Sequence, residues 1–495
     1  MVLTDIPQRL LYLNGTWRPA ASNATGDVIN PATGAPTGTT AIAGLEDVDA
    51  ALTAAKSAGI AWTEATPDER AAILTAAGRL LEERVDSIAR LLTTEQGKPL
   101  PDSVKEISFA AQVLRYYAEE GKRIGGALRP SVRRDVKSMV TYAPIGIAAA
   151  IVPWNYPVDL YAWKIAPALA AGCPVIAKPP ADAPLAIGEV VRALHDAGLP
   201  PGALADLPGG PDVGQALVTH PDVAVVAATA STRTGRAIAA AAAPTLKRVA
   251  LELGGQCPFI VLDDADIDDA AAAAVRRSFS NMGQICIAVN RVLVADSRHA
   301  EFVDAVAAIT NTLRLGNGLD AGVEYGPVFD AAVQTKTQSH VADALNRGAR
   351  LVTGGDIPRD LGGGTYFLPT VLDDVPLDAL AMTEETFGPV LPIAVAKTDA
   401  ELLALANSLP FGLAAYIYSG NLERAWALAD RIEAGGIGIN VNDVTELQAP
   451  FGGWKLSGAG RDLGPEGLHT YLQTRHIRAR VRPLQAHSSQ PHGDP

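Results

Sequence analysis

A single cysteine, Cys286, lies in the part of the chain best suited to covalent chemistry. It ends the segment FSNMGQIC at 279–286, directly after a Gly-Gln turn. A thiolate is a strong protein nucleophile, whereas a buried cysteine is often only a small apolar core residue. The other two cysteines, Cys173 and Cys257, lie in apolar stretches and fit that second description. Cys286 is therefore the candidate nucleophile.

Three polar residues upstream of Cys286 complete a set of reactive groups. Asn155 lies in PWNYP at 153–157, Lys178 in AKP at 177–179 and Glu252 in LELGG at 251–255. The leucines beside Glu252 favour a raised pKa, which suits a general base at neutral pH. The chain thus carries, in order, an amide donor, a lysine, a carboxylate base and a nucleophile.

These residues are expected to sit on a parallel sheet. From residue 146 onward, short apolar runs alternate with helix-like stretches, the runs being 147–152, 174–177, 203–207, 223–227 and 248–251. Such alternation predicts a parallel sheet flanked by helices, in which ligands bind beyond the carboxyl ends of the strands. Asn155, Lys178, Ser231 and Glu252 each follow or end one of these runs. We expect them to converge at one edge of the sheet.

Composition excludes several classes of function. The 495 residues are too many for one hydrophobic core, and 48% of them are apolar while 19% are charged. The net charge of −13 argues against a nucleic-acid partner. Three cysteines are too few for a disulfide framework and favour a reducing compartment. The start has no signal-peptide pattern and no apolar run reaches a membrane span, so we expect a cytoplasmic protein without a membrane partner.

Motifs of other enzyme classes are not found in the sequence. There is no H-E-x-x-H or C-x-x-C metal motif, no G-x-S-x-G elbow and no G-x-x-x-x-G-K loop. None of the eight histidines lies in a motif that would pair it with a catalytic cysteine. The sequence therefore predicts no metal site and gives no support to a serine hydrolase, a P-loop enzyme or a cysteine hydrolase.

Taken together, the motifs resemble those of the aldehyde dehydrogenase superfamily over nearly the whole chain. The match begins at LNGTW (13–17) and NPATG (30–34), passes through GKP (97–99) and the segments above, and ends at ETFGPV (385–390), Asn440, PFGG (450–453) and SG (457–458). The resemblance implies an α/β fold with a Rossmann-like dinucleotide-binding domain, an α/β catalytic domain and a β oligomerisation arm.

The resemblance also implies domain boundaries. The dinucleotide-binding domain would comprise 1–121 and 145–253, the catalytic domain 254–456, and the arm 122–144 and 457–482. Within the catalytic domain, strands are predicted at 291–294 and 413–418 and a helix at 421–432. Residues 132–142, basic and β-branched, predict a hairpin, and 483–495 predicts a disordered tail. A homodimer or homotetramer is expected, with the arm pairing across a subunit interface.

By resemblance, Cys286 attacks the aldehyde carbonyl to form a thiohemiacetal. The Asn155 side-chain amide and the Cys286 backbone N–H would stabilise the oxyanion. Once hydride has been transferred to the nicotinamide, Glu252 would activate the water that hydrolyses the thioester. The product is the carboxylic acid.

The resemblance further implies an NAD(P) site. Lys178 would bind the adenine ribose or its phosphate, Glu385 the nicotinamide ribose, and Phe387 would pack near the nicotinamide; the remaining candidates are Trp154, Ser231 and Gly235.

Two departures from the family pattern bear on that site. Ala228 and Ala230 stand where relatives often have phenylalanine and glycine, which predicts altered cofactor affinity. Ala181 replaces the glutamate by which NAD-preferring relatives repel a 2′-phosphate, so NADP is expected to be tolerated, although Asp182 next to it would oppose this.

The predicted substrate tunnel is mostly apolar or aromatic. Its candidate residues are Phe109, Tyr156, Leu160, Trp163, Ile285, Ile287, Thr445 and Phe451. Succinate-semialdehyde enzymes of the family carry an arginine six residues before the nucleophile, where this chain has Ser280. An uncharged aliphatic or aromatic aldehyde is therefore expected.

Other readings stay open. The stretch 288–291 resembles the semialdehyde branch, so a semialdehyde dehydrogenase of the succinate type is an alternative. A non-catalytic structural or binding homologue is a second alternative. Acylation of coenzyme A is disfavoured because that branch typically lacks the base that Glu252 supplies.

Overall fold

The structure, a computed structural model, describes residues 7–481 as an α/β fold with two large and three small sheets. The predicted disordered tail at 483–495 lies outside the described residues. The strands are β1 (Gln8–Arg9), β2 (Leu11–Leu13), β3 (Thr16–Arg18), β4 (Thr25–Ile29), β5 (Pro36–Ala41), β6 (Ala127–Arg129), β7 (Val136–Pro144), β8 (Ile147–Ile151), β9 (Val175–Lys178), β10 (Leu204–Asp206), β11 (Val223–Thr229), β12 (Arg248–Glu252), β13 (Cys257–Val261), β14 (Val289–Ala295), β15 (Arg350–Thr353), β16 (Thr370–Asp373), β17 (Val390–Ala396), β18 (Phe411–Gly412), β19 (Ala414–Tyr418), β20 (Gly436–Ile439), β21 (Trp454–Lys455), β22 (Gly458–Ala459) and β23 (Leu472–Arg480).

Helices cover both large sheets. They are α1 (Leu45–Ser57), α2 (Ile60–Glu64), α3 (Pro67–Glu83), α4 (Val85–Gln96), α5 (Leu100–Gly121), α6 (Pro157–Ala171), α7 (Leu185–Asp196), α8 (Pro211–Thr219), α9 (Thr232–Ala242), α10 (Ile267–Phe279), α11 (His299–Thr310), α12 (Ala331–Asn346), α13 (Leu380–Thr383), α14 (Asp399–Asn407), α15 (Leu422–Ala429) and α16 (Gly464–His469).

The first large sheet has eight strands in the order β22-β12-β11-β8-β9-β10-β2-β3. Its five central strands are mutually parallel, while β2, β3 and β22 are antiparallel to their neighbours. All five predicted apolar runs are strands here, with ends that differ by one or two residues. Strand β22 comes from 457–482, so part of the segment assigned to the arm joins this sheet.

The second large sheet has seven strands in the order β15-β16-β17-β14-β13-β19-β20. All are parallel except β15, which pairs antiparallel with β16. The strands predicted at 291–294 and 413–418 correspond to β14 and β19, and the predicted helix at 421–432 corresponds to the shorter α15.

Helices α5 and α6 matter most for the site. Every one of the fifteen residues of α6 is buried, as its nearly unbroken apolar sequence predicts. Pro157 begins this helix, and Gly172, at φ +89°, ends it in the left-handed region that favours glycine. Helix α5 packs along α6, so the two helices form one wall beside the carboxyl ends of the first sheet.

The arm is a three-stranded sheet in the order β23-β7-β6. A hairpin is present, but its first strand, β6, lies before the predicted range of 132–142, which covers only the turn and most of β7. Strand β23 pairs with β7 over nine residues of the same chain, from Leu472 opposite Pro144 to Arg480 opposite Val136. The two predicted arm segments thus meet within one protomer. Within residues 7–481, no helix combines the length and apolarity that crossing a membrane would require.

Candidate active site

Four polar residues meet at one edge of the first sheet. Glu252 ends β12, Lys178 ends β9, Asn155 follows β8 and Ser231 follows β11. These strands are neighbours in the order β12-β11-β8-β9 and run parallel, so their carboxyl ends lie side by side. The convergence expected from their order in the chain is present.

A strained turn presents Cys286. Asn281, Met282 and Gly283 all have positive φ, at +47°, +59° and +76°. A Cβ at Gly283 would overlap the Gly388 carbonyl oxygen, so only glycine fits there. Non-glycine residues in the left-handed region cost free energy and persist only where neighbours hold them.

Hydrogen bonds join this turn to the Asn155 loop. The Asn281 side-chain amide donates to the Asn155 carbonyl oxygen at 2.8 Å. The Asn155 side-chain amide donates to the Gln284 carbonyl oxygen at 3.0 Å. The candidate oxyanion donor and the candidate nucleophile are therefore held on two loops that fix each other.

A buried lysine, which the sequence did not single out, clamps the same loop. Lys98 is fully buried; its ammonium donates to the Asn155 carbonyl oxygen at 2.8 Å and pairs with the Glu106 carboxylate. Glu106 in turn accepts from the backbone N–H of Val158 at 2.9 Å and of Asp159 at 3.3 Å, at the start of α6. The only sequence signal was the GKP segment at 97–99.

The Cys286 thiol is half-buried, and its pKa is raised. Burial is the main cause, and the carboxylate of Glu385, the Cys257 thiol and Glu252 add to it. The thiol is therefore protonated at neutral pH and must lose its proton before it can attack a carbonyl carbon.

Glu252 is the nearby group suited to accept a proton. It is 3% exposed, and both carboxylate oxygens are buried without a hydrogen-bond partner. Burial and the nearby Asp462 raise its pKa well above the usual value. Asp462 itself is paired with buried Lys164. A Cβ at Gly452 would come within 2.7 Å of Glu252 Oε1, so the glycine leaves room for this carboxylate.

The N-terminus of α9 offers an anion site next to these residues. Ser231 caps the helix by accepting from the Thr234 backbone N–H at 3.2 Å, and it is exposed. Free N–H groups and the helix dipole favour a phosphate at such a position. Gly235 in the first turn packs against Leu253, where a Cβ would overlap the leucine side chain.

Lys178 ends β9, which lies two strands away from β11, the strand that precedes Ser231, in the same sheet. Burial lowers its pKa, while Asp182 and Asp212 oppose that shift. Ala181, three residues on, is half-buried and Asp182 is exposed.

The other cofactor candidates come from the segment after α13 and from the Asn155 loop. Glu385 Oε1 accepts from the Gly255 backbone N–H at 3.2 Å, and burial raises its pKa to about 7. Trp154 stacks on Phe329 with ring centroids 4.2 Å apart and meets Phe387 edge-on at 5.6 Å. Phe387 has φ +57°, an uncommon value for a bulky residue.

These residues fit a dinucleotide. An exposed helix N-terminus suits the pyrophosphate, the Lys178 ammonium suits a ribose hydroxyl or phosphate, and the half-buried Glu385 carboxylate keeps an oxygen for a ribose hydroxyl. When bound, the nicotinamide would supply the acceptor for a hydride.

One cavity of about 920 Å³ contains Asn155, Glu252 and Cys286 in its wall. All eight predicted tunnel residues line it as well: Phe109, Tyr156, Leu160, Trp163, Ile285, Ile287, Thr445 and Phe451. Trp163 contacts two of the rings edge-on, with centroids 6.3 Å from Phe109 and 5.2 Å from Phe451.

Charged residues that the sequence did not single out also line this cavity. Asp159 on α6 is 9% exposed, and its Oδ1 is buried without a hydrogen-bond partner. Arg277, near the end of α10, pairs with Asp443 at 2.6 Å. The sequence did contain one signal for Asp159: it is an acid inside the apolar helix α6, one turn before Trp163.

Comparison with known proteins identifies the family. The model of the aldehyde dehydrogenase family matches residues 17–477. Glutarate-semialdehyde dehydrogenase of Pseudomonas aeruginosa is 41% identical over 467 residues, covering 94% of this chain and 96% of the relative. The NADP⁺ succinate-semialdehyde dehydrogenase of Escherichia coli K12 is 41% identical over 466 residues, with the same coverage.

Comparison with a solved structure supports the same family. The crystal structure of succinate-semialdehyde dehydrogenase from Burkholderia pseudomallei superposes with a TM-score of 0.95 at 40% identity, covering 97% of this chain and all of that one. The chain belongs to the aldehyde dehydrogenase family and is an NAD(P)-dependent oxidoreductase that oxidises aldehydes.

Proposed function

We propose that this enzyme converts an aldehyde to the carboxylic acid through a thiohemiacetal and a thioester on Cys286. The observation that carries this proposal is the common cavity, which brings the thiol, the Asn155 amide and the unpartnered Glu252 carboxylate together. Asn155 and Glu252 are buried in the wall of this cavity, so charge that develops on the substrate oxygen beside them would be weakly screened.

Asn155 acts as the oxyanion donor in this scheme. Its amide already donates to the Gln284 carbonyl oxygen at 3.0 Å, two residues before Cys286. An N–H of this amide and the Cys286 backbone N–H would hold the oxygen of the carbonyl under attack. Lys98 and Asn281 fix the Asn155 backbone, so the donor is oriented before substrate binds.

Glu252 acts as the general base. Burial and the nearby Asp462 raise its pKa well above the usual value of a carboxyl group, so Glu252 binds a proton more readily than an exposed glutamate does. Because no hydrogen bond engages either carboxylate oxygen, the group is free to orient a water toward the thioester. Glu252 thereby favours hydrolysis over transfer to another thiol.

The adenosine side supports use of NADP as well as NAD. No carboxylate stands at Ala181, and Lys178 supplies a positive charge at the end of β9. Asp182 is exposed and lowers the preference that this lysine would otherwise give to a 2′-phosphate.

The substrate proposed here has an apolar chain and carries no carboxylate. Aromatic and aliphatic side chains form most of the cavity wall, and the guanidinium of Arg277 is already paired with Asp443. A second candidate is a dicarboxylic semialdehyde, favoured by the glutarate- and succinate-semialdehyde relatives and by the presence of Arg277 in the wall.

An absorbance assay for reduced cofactor with a panel of aldehydes tests the proposal. Uncharged alkyl and aryl aldehydes, and glutarate and succinate semialdehydes, should be assayed with both NAD and NADP. We expect acid formation with at least the uncharged set. Absence of turnover with every aldehyde and both cofactors would contradict the proposed reaction.

The domain division and the assembly are proposals as well. The first sheet, the second sheet and the arm correspond to dinucleotide-binding, catalytic and oligomerisation units with the boundaries given above, except that β22 of the predicted arm segment belongs to the first sheet. In the arm, β6 and β23 each leave one edge unpaired in this chain, and such edges pair readily with a second copy. A homodimer or homotetramer follows, and a monomer by light scattering at micromolar concentration would contradict it.

A further inference from the structure

Three polar side chains are fully buried where α4 ends. They belong to Glu95, Gln96 and Lys98, and Gly97 between them, at φ +96°, ends the helix. A buried polar group is costly unless it is hydrogen-bonded, so the partners of these side chains show what the segment 95–98 does. Each of the three side chains bonds to a different segment of the active site.

Glu95 fixes the end of the loop 178–184, called the adenosine loop here because it begins with the candidate cofactor lysine. Its two carboxyl oxygens accept from the backbone N–H groups of Leu185 and Ala186, both at 2.7 Å. These residues begin α7, and Pro184 before them offers no side-chain cap. Glu95 therefore satisfies N–H groups that a helix start leaves free, and it fixes the point where the adenosine loop enters α7.

Gln96 reaches the strained turn that presents Cys286. Its side-chain amide donates to Asn281 Oδ1 at 3.2 Å, and its side-chain carbonyl oxygen accepts from the Lys98 backbone N–H at 3.0 Å. Asn281 has positive φ and donates to the Asn155 carbonyl oxygen, to which the Lys98 ammonium also donates. Gln96 thus orients the residue that ties the turn of the nucleophile to the oxyanion loop.

We propose that Glu95 and Gln96 are positioning residues of the active site. Glu95 sets the adenosine loop for the cofactor, and Gln96 sets the Cys286 turn for attack on the aldehyde. Neither side chain lines the cavity that holds the reacting groups, so each acts through the loop that it holds. The inference rests on the function proposed above, since it takes the roles of the two loops from there.

The two residues should give separable kinetic effects. Glu95→Leu removes both acceptors and should weaken binding of the reduced cofactor by about tenfold or more, while the first-turnover rate at saturating cofactor changes little. Gln96→Leu should lower that rate by about tenfold or more, because a small misplacement of a reacting group is costly, while cofactor binding changes little. Cofactor fluorescence and rapid-quench kinetics, with the aldehyde that the wild type oxidises fastest, measure the two properties. Glu95→Gln keeps one acceptor oxygen and should restore part of the cofactor affinity.

Hydrogen/deuterium exchange tests the same separation without turnover. In Glu95→Leu, the amides of 180–187 should exchange faster than in the wild type, while those of 279–286 keep their rate; Gln96→Leu should show the reverse. The control is Thr94→Ala, next to both residues, which removes a hydroxyl bonded to the Arg90 carbonyl oxygen of the same helix at 2.7 Å. It should change neither segment and neither kinetic property.

The outcomes separate a positioning role from a general effect on the fold. Equal effects on both segments and both kinetic properties with either leucine variant would mean that 95–98 only stabilises the fold, and would overturn the proposal. Wild-type behaviour of both variants would overturn it too. If a leucine variant does not fold, Glu95→Gln and Gln96→Glu, which lose one contact each, should show the same separation at smaller size. If the wild type oxidises no aldehyde, the proposed function fails, while exchange and cofactor binding still decide the positioning roles.

Discussion

The cofactor side and the substrate side of this active site are built differently. On the cofactor side, Lys178 ends β9 and Ser231 follows β11 in the same parallel sheet, and both are held largely by backbone geometry. On the substrate side, the wall combines two helices, a strained turn and a loop far along the chain. The first arrangement follows from strand order alone, whereas the second depends on which helix faces meet. Substitutions should therefore affect the two sides separately.

The substitution Cys286→Ala is expected to give the largest difference between the effect on catalysis and the effect on cofactor binding. It removes the nucleophile while leaving the dinucleotide side intact, so turnover should fall by about 10⁴-fold or more and reduced-cofactor binding should persist. Steady-state kinetics and cofactor fluorescence measure the two properties. The matched control, Cys173→Ala, removes a buried thiol outside the cavity and should retain activity. Substantial oxidation by Cys286→Ala would refute the assignment.

Glu252→Gln should divide the reaction into its two stages. We expect a burst of reduced cofactor, then steady-state turnover lowered by about 10²- to 10⁴-fold because no base activates water. Mass spectrometry should show the acyl adduct on Cys286. Glu83→Gln, an exposed acid on α3, serves as control. Loss of the burst as well would assign Glu252 an earlier role in deprotonating the thiol.

Asn155→Ala tests the loop that both sides share. Removal of one oxyanion donor should lower kcat by about 10²- to 10³-fold, with smaller changes in the KM of the cofactor. Rapid-quench measurement of the first turnover would locate the loss in the acylation step. A variant that keeps its first-turnover rate would exclude the oxyanion role.

The smallest effect is expected for a substitution on the cofactor side, Ala181→Glu, which should change the preference between NADP and NAD. Ala181→Glu should weaken NADP relative to NAD by roughly ten- to a hundredfold, because a like-charge contact costs about one to a few kcal/mol. The ratio of kcat/KM values for the two cofactors, measured for both proteins, reports this change. Ala181→Gln is the uncharged control. If the ratio does not move, Asp182 becomes the residue that sets the preference.

The sequence predicted the cofactor side closely because its rules are local. Hydrophobic runs set β8, β9, β11 and β12, and parallel strands place their carboxyl ends together whatever residues follow them. The predicted ends of these strands differ from the observed ones by only one or two residues.

For the substrate side, the sequence predicted the apolar and aromatic residues of the cavity wall but not its charged residues. All eight predicted tunnel residues line the cavity, yet Asp159, Arg277 and the Lys98–Glu106 pair did not stand out in the sequence. A charged side chain in a sequence is most often solvated, and only the packing of α5 against α6 shows that these are enclosed.

By itself, the sequence determined the family, the positions of the central strands of the first sheet and the identity of the reactive groups, because periodicity and motifs depend on residue type and spacing. The tertiary structure decided the partners of those groups and the burial that sets their protonation, of which the sequence indicated only the raised pKa of Glu252. It raises the pKa values of Cys286 and Glu252 by burial, and it leaves Asp159 Oδ1 buried without a hydrogen-bond partner. These properties depend on distance and desolvation, which arise only when segments remote in the chain enclose a common cavity.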